Sequence, residues 1–400
     1  MRRTVIYTEY VLNGNYSNLK ETIIYIPYTR SSSLSNYSFC EFQYFLTYNL
    51  GFQSKSNSKA NKGTTAHKVL ESLAIGKQYL QNNPDSSKLI IEDDALGKLE
   101  YETKDFFQVT ELSLRDINTI NKSRINKSTY MYDCLVPENH SRIGVSVVED
   151  LIDRATKYYS KYEDSGDFTP VDKKDIANFS WIPLELFSRE YDPRNRNIFC
   201  PEKPFEIEID AEWAYYNFVL KDAEIYGAYR IKGTIDLITQ IDDDTLEIVD
   251  WKTGARKDWG SGKVKDYEYL MSDKQLLLYY YAARKCFPQF KNIIITIMFI
   301  RDGGPYTLCF EDSDMIIAEK MLEKHFKEVS SNSKPRPVDV TQKDFKCNRL
   351  CHFYKNSLPN TKDNICKHIQ KELYNKGIEK VIDEYIQPGF TLDKYHSPGA

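Results

Sequence analysis

The chain has 400 residues, of which 41% are hydrophobic, 28% charged and 14% aromatic. That is enough apolar material for one large core or two modest ones, and it excludes an intrinsically disordered chain. A net charge of −4 excludes a uniformly basic surface, and eight cysteines are too few for a disulfide scaffold.

No run approaches the ~20 unbroken apolar residues of a membrane span. The first residues lack the continuous apolar stretch of a secretory signal, so a cytoplasmic location is expected. Residues 1–30 alternate like a β-hairpin, with a turn at Asn13-Gly14. Ser31–Ser33 offer an N-cap for a helix carrying Leu34, Tyr37, Phe42 and Phe45 at helical spacing. A polar loop leads to Gly63, and a second helix follows it. Residues 85–165 are polar with periodic apolar positions and read as a helical insert. Residues 166–204 are proline-rich and read as a long connection anchored by Trp181 and Ile182.

Then the texture changes. Phe205, Ile207, Ile209, Ala211 and Trp213 alternate with acidic residues, as in a half-buried strand. Residues 226–241 and 246–252 read as two further strands joined by a turn at Asp242–Asp244. A helix over 275–287, a nearly all-apolar buried strand over 292–300, a fifth strand over 306–310 and an amphipathic helix over 313–329 follow. The order predicts an α/β (α+β) fold with a mixed central sheet flanked by helices. The textures divide the chain at 1–62 (hairpin and first helix), 63–200 (second helix and insert), 201–330 (strand-rich core) and 331–400 (C-terminal cysteines and tail), as parts of one integrated domain.

Asp236 sits near the end of one strand and Asp250 near the end of the next. A tight turn joins the two strands, so they pair antiparallel and bring both carboxylates to one end of the sheet. Lys252 lies two residues beyond Asp250 and shares its face. Paired carboxylates hold Mg²⁺ or Mn²⁺ with water left on the ion, and a neighbouring lysine can orient water or offset developing charge. The ordinary alternative is a wet surface hairpin. Against it, Asp250 lies among Ile248, Val249 and Trp251, and a charge in such company needs a reason.

Five separated patterns together resemble the PD-(D/E)XK nuclease superfamily in its RecB-like branch, which includes the AddB nuclease domain, the CRISPR-adaptation nucleases and exonuclease V. They are Gly63, His67, Leu70 and Glu71; Gly233, Ile235 and Asp236; Asp250, Lys252, Thr253 and Gly254; Gln275 and Tyr279; and Cys40 with Cys347, Cys351 and Cys366. The resemblance spans residues 31–370 and implies roles by position. Asp236 and Asp250 would ligate the divalent ion with His67 and the Trp251 carbonyl. Lys252 would be the catalytic lysine. Gln275 and Tyr279, one helical turn apart, would contact DNA or brace the site. Glu206 and Glu208 are secondary acidic candidates.

The four cysteines resemble the branch's 4Fe–4S signature, a staple joining the two ends of the chain. The gap before Cys366 is longer than usual, and no proline follows Cys40 or Cys351. The rival reading is zinc held by Cys347, Cys351, Cys366 and either His352 or His368. Lysines around the His67 helix and after Lys252, with Arg230 and Lys232, are candidates for a phosphate groove, and Trp259, Tyr267 and Tyr269 for stacking on unpaired bases. The resemblance implies a metal-dependent deoxyribonuclease, foremost an exonuclease on single-stranded DNA or DNA ends in recombination, repair, or phage or CRISPR DNA processing. The alternatives are a catalytically silent or partner-dependent DNA-binding subunit and a zinc-stabilised binding protein. No Walker A pattern is present, so a helicase partner would be a separate chain.

Overall fold

The computed structural model describes residues 28–54, 58–111, 141–161, 171–185, 189–220, 223–258, 262–301, 304–338 and 345–387. They fall into two compact units. The first draws on Met1–Ser54, Phe205–Gly233 and Ser313–Ala400, the second on Lys55–Pro204 and Thr234–Asp312. The hairpin expected over residues 1–30 lies outside the described residues except for the strand Tyr28–Arg30.

In the second unit the strand Thr245–Lys252 is central. It runs antiparallel to the Asp236 strand and parallel to Asn292–Phe299, which pairs antiparallel with Gly304–Cys309. The acidic turn explains the first pairing. Asp242 Oδ1 accepts the Asp244 N–H at 2.9 Å and closes the chain on itself within two residues. The parallel pair needs a crossover, and the helix Lys274–Cys286 supplies it. Asp273 caps that helix by accepting the Gln275 N–H at 2.9 Å. Leu276 to Ala283 are all buried on it, so its apolar run is packing for the sheet.

The core of this unit joins the sheet to the helices. Ala66, Val69, Leu70 and Leu73 of the helix Ser58–Asn82 pack with Leu237, Val249, Trp251 and Met298 of the strands. The expected α/β arrangement with a mixed, helix-flanked sheet is the one found. Two local readings are corrected. The insert opens with a β-hairpin, Lys88–Asp93 against Gly97–Glu102, before the helix Val145–Ser160. Leu89, Ile91 and Leu99 face the core from it, and this sparse spacing fits a strand as well as a helix. The expected connection over 166–204 contains the helix Lys173–Glu185, which carries Pro183 near its end. Ile176, Phe179 and Ile182 drive it into the core despite the proline.

In the first unit, Tyr28–Arg30 pairs parallel with Arg230–Lys232. The strand expected over 226–241 is interrupted at Tyr229. A hairpin arm ends at Ala228, and a strand begins at Arg230. Tyr229 donates its N–H to Ala214 and accepts from Ile209 through its carbonyl. Its buried phenol bonds Thr29. The strand expected over Phe205–Trp213 ends at Glu208, followed by a single helical turn at Glu212–Ala214. Gly233 is required here, because a Cβ at this position would lie 2.6 Å from Phe205 Cζ. Phe42, Phe45, Leu46 and Leu50 pack on Phe353, Ile369 and Val381 to form this unit's own core. Among the described residues no helix is long and apolar enough to cross a membrane.

Candidate active site

The antiparallel register pairs Val249 with Leu237, so its continuation sets Asp250 against Asp236. The two carboxylates therefore stand on the same face of adjacent strands. Asp236 Oδ2 accepts the Trp251 N–H at 2.9 Å. Its other oxygen lies 3.5 Å from Nδ1 of His67, on the helix Ser58–Asn82. Lys252 donates to Asp250 Oδ1 at 2.8 Å and lies 2.7 Å from Oδ2. Gln275 donates its side-chain amide to the Tyr279 hydroxyl at 2.9 Å. Tyr279 is buried, and its phenol feels the charges of Asp250 and Lys252.

One glycine lets the helix come close. Gly63 faces Thr253, the residue after Lys252, and a Cβ there would meet Thr253 Oγ1 at 2.9 Å. The expected start of this helix after Gly63 is corrected. The helix begins at Ser58, so the glycine lies inside it. Gly63 weakens the helix by roughly 1 kcal/mol relative to alanine. In return the helix reaches the start of the loop that follows Lys252.

Burial works against every charge in the cluster, and the partners decide the outcome. Asp250 is 1% exposed, and its burial pushes the carboxyl above the usual range despite Lys252. Burial acts the same way on Asp236, but the His67 and Lys252 charges and the Trp251 N–H outweigh it and hold that carboxyl low. His67 is held above its ordinary value, because Asp236 outweighs the desolvation of the imidazole. Lys252 is likewise held high by Asp250 against its own burial, so its ammonium persists at neutral pH.

Among the described residues no three His, Cys, Asp or Glu side chains stand in the arrangement of a bound metal ion. The cluster instead compensates itself, Asp250 with Lys252 and Asp236 with His67. The donor set still suits a hard divalent cation, with two carboxylates, an imidazole and the main chain at Trp251. Asp250 Oδ2 supports this fit. It is buried and, although the Lys252 ammonium lies 2.7 Å away, accepts no hydrogen bond of good geometry among the described residues, so it can still serve a cation.

Two carboxylates that carried no expected role line the same cavity. His67, Leu70, Glu71, Ala74, Glu202, Asp236, Leu237 and Trp251 form its wall. Lys68 holds Glu71 at 2.5 Å and Asp93 at 3.1 Å, with Glu202 at 3.8 Å. Burial first and Glu202 second push the Glu71 carboxyl up to about 8. Glu71 stood in a quoted pattern, four residues after His67 on the same helix face. Glu202 gave no sequence signal, and it adopts a left-handed backbone at φ 39°. Glu206 and Glu208 are absent from this wall and belong to the first unit. Glu206 is taken up by Arg230 at 2.8 Å and Lys232 at 3.0 Å, so those two cations are not free for phosphates. Trp259 lies outside the described residues, while Tyr267 and Tyr269 are exposed.

In the first unit, Cys40, Cys347, Cys351 and Cys366 line a single cavity. The helix expected to run through Cys40 breaks there. Cys40 is extended at φ −165° and caps the next turn, with its sulfur accepting the Gln43 N–H at 3.4 Å. Gln370 donates its side-chain amide to Cys366 Sγ at 3.1 Å. Burial, with the three neighbouring sulfurs, pushes the Cys366 thiol up to about 12. His352 and His368 are not part of the cavity wall. His368 meets the Tyr385 hydroxyl at 3.0 Å, and His352 meets the Asn356 amide at 3.0 Å. None of the described cysteines forms a disulfide. The Gln43 side-chain oxygen, also in the wall, is buried with no hydrogen-bond donor among the described residues.

A protein-family model described as the PD-(D/E)XK nuclease superfamily matches residues 31–353. No curated protein matches the chain.

Proposed function

We propose that this chain, which belongs to the PD-(D/E)XK nuclease superfamily, is a divalent-metal-dependent deoxyribonuclease of the RecB-like kind that degrades single-stranded DNA or DNA ends. The observation that carries the reading is the convergence of His67, Asp236, Asp250 and Lys252 from separate parts of the sequence. In phosphodiester hydrolysis a water oxygen adds to phosphorus and one P–O ester bond breaks, leaving a phosphate monoester and an alcohol. Negative charge builds on the phosphoryl oxygens as this happens. Asp236, Asp250, His67 and the Trp251 carbonyl would hold Mg²⁺ or Mn²⁺, which offsets that charge and acidifies a water. Lys252 keeps its proton and directs its ammonium at the water and the developing charge. Asp250 orients Lys252 through the hydrogen bond at Oδ1 and the charge on Oδ2, and His67 and the Trp251 N–H fix the Asp236 carboxylate. The Gln275–Tyr279 bond braces the buried side of the cluster.

Cys40, Cys347, Cys351 and Cys366 would ligate a 4Fe–4S cluster that joins distant parts of the chain. Their common cavity supports this over zinc held with His352 or His368, since neither histidine borders it. Iron and sulfide analysis of anaerobically purified protein tests the cluster, and Cys40→Ser should lower both.

End dependence is tested with linear and covalently closed circular single-stranded DNA in Mg²⁺ or Mn²⁺. Loss of the linear form with the circle spared is expected. Cutting of the circle at the same rate would overturn the exonuclease reading. Failure to cut either would favour a partner-dependent or DNA-binding subunit.

A further inference from the structure

We infer that Lys346 is the latch of the split cysteine site, tying the neighbour of Cys40 to Cys347 and placing a buried positive charge at the cavity the four cysteines line. The inference rests on the iron–sulfur reading above. Phe39 immediately precedes Cys40, and Lys346 immediately precedes Cys347. Lys346 Nζ donates to the Phe39 carbonyl at 3.0 Å, a bond across 307 residues of sequence. The ammonium also lies 4.9 Å over the Phe39 ring. Both residues border the cavity that the four cysteines line.

The position of the Phe39 carbonyl explains the bond. The helix Ser31–Phe39 ends there, where carbonyls lack intrahelical partners and the helix dipole favours a cation. The π-turn Lys346–Leu350 begins at Lys346, whose own carbonyl accepts the Cys351 N–H at 2.9 Å. One residue thus bonds the neighbour of Cys40, precedes Cys347 and accepts from Cys351.

Lys346 is only 9% exposed. Among the described residues it forms no ion pair, and its contacts are a carbonyl and a ring. A buried ammonium with neutral neighbours is costly. A thiolate-ligated cluster carries net negative charge and would supply the missing counter-charge. The same ammonium would discourage loss of the ligated thiolates, as outer-shell groups do at other metal sites.

The test uses the full chain, reconstituted anaerobically with ferrous iron and sulfide, then challenged with an iron chelator. Wild type and Lys346→Arg should retain iron alike. Lys346→Met should bind iron about 10- to 100-fold more weakly by chelator competition. If Lys346→Met does not fold, Lys346→Gln decides, because it keeps a donor for Phe39 without the charge and should also lose iron faster. Iron content and chelator resistance equal to wild type in the folded methionine or glutamine variant would overturn the latch alone. Wild type that takes up no iron and sulfide would overturn the cluster reading and the latch with it.

Discussion

Lys252→Met should destabilise the metal-free protein more than Asp250→Asn does. Asp250 is 1% exposed and Lys252 is the cation against both of its oxygens, at 2.7 and 2.8 Å. Removing one partner of a fully buried pair costs about 3–5 kcal/mol, because the other charge is left uncompensated. The Lys252 side chain is 34% exposed, so water partly replaces it, and about 2 kcal/mol is the better figure. Asp250→Asn leaves a lysine that can turn to water, and it relieves repulsion from Asp236, so it should cost about 1 kcal/mol or less. The double variant should resemble Asp250→Asn, giving a coupling of about 2 kcal/mol in magnitude. Urea unfolding of all four proteins in chelator at neutral pH measures this. The Asp250 carboxyl is already held high by burial, so its protonated form is the one the fold tolerates. The Lys252→Met penalty should therefore shrink as pH falls and Asp250 is neutralised. Additive effects, or a penalty independent of pH, would refute the claim that Asp250 is a buried charge kept in place by Lys252.

Gly63→Ala gains about 1 kcal/mol of helix propensity and meets Thr253 Oγ1 at 2.9 Å. Stability should change little while activity drops by about tenfold or more, because Thr253, and with it the strand end at Lys252, is pushed aside. Thr253→Ala should restore the rate in the double variant, as single-turnover cleavage assays would show. Glu71 binds a proton in the folded state up to about pH 8, against an ordinary value of 4.5. The folded state then holds more protons than the unfolded one between those limits, so stability falls as pH rises through that window. Glu71→Gln should flatten that slope in chelator, measured by urea midpoints at successive pH values. Tyr279→Phe breaks the bond from Gln275 at the buried edge of the cluster. It should cost about 1 kcal/mol of stability and slow cleavage about tenfold.

The hairpin that carries Asp236, Asp250 and Lys252 was legible because its signals are local. A short acidic turn fixes antiparallel pairing, and a lone aspartate in an apolar run marks a charge with a purpose. Asp236, Asp250 and Lys252 follow from those two facts and the period of a strand. The Cys40 break was not legible. Leu34, Tyr37, Phe42 and Phe45 keep helical spacing across it, and the cavity that Cys40 shares with distant cysteines leaves no trace in local periodicity. Glu202 was invisible for the same reason, since its meaning comes from Lys68 and Glu71, more than a hundred residues earlier. Gly63 read as the end of a loop, because a glycine signals a break unless the neighbour that needs its missing side chain is known. The hairpin Lys88–Glu102 was misread because few apolar positions over a polar stretch fit either period.

The central claim is that Lys252, held by Asp250, serves phosphodiester hydrolysis. Purified wild type and Lys252→Ala, each shown to be folded, should be incubated with end-labelled single- and double-stranded DNA in Mg²⁺ or Mn²⁺ and in chelator. The account predicts metal-dependent cleavage by wild type, absent in chelator and reduced by at least about a thousandfold in Lys252→Ala. Cleavage that survives Lys252→Ala, or a wild type inactive with either metal on every DNA offered, would contradict it.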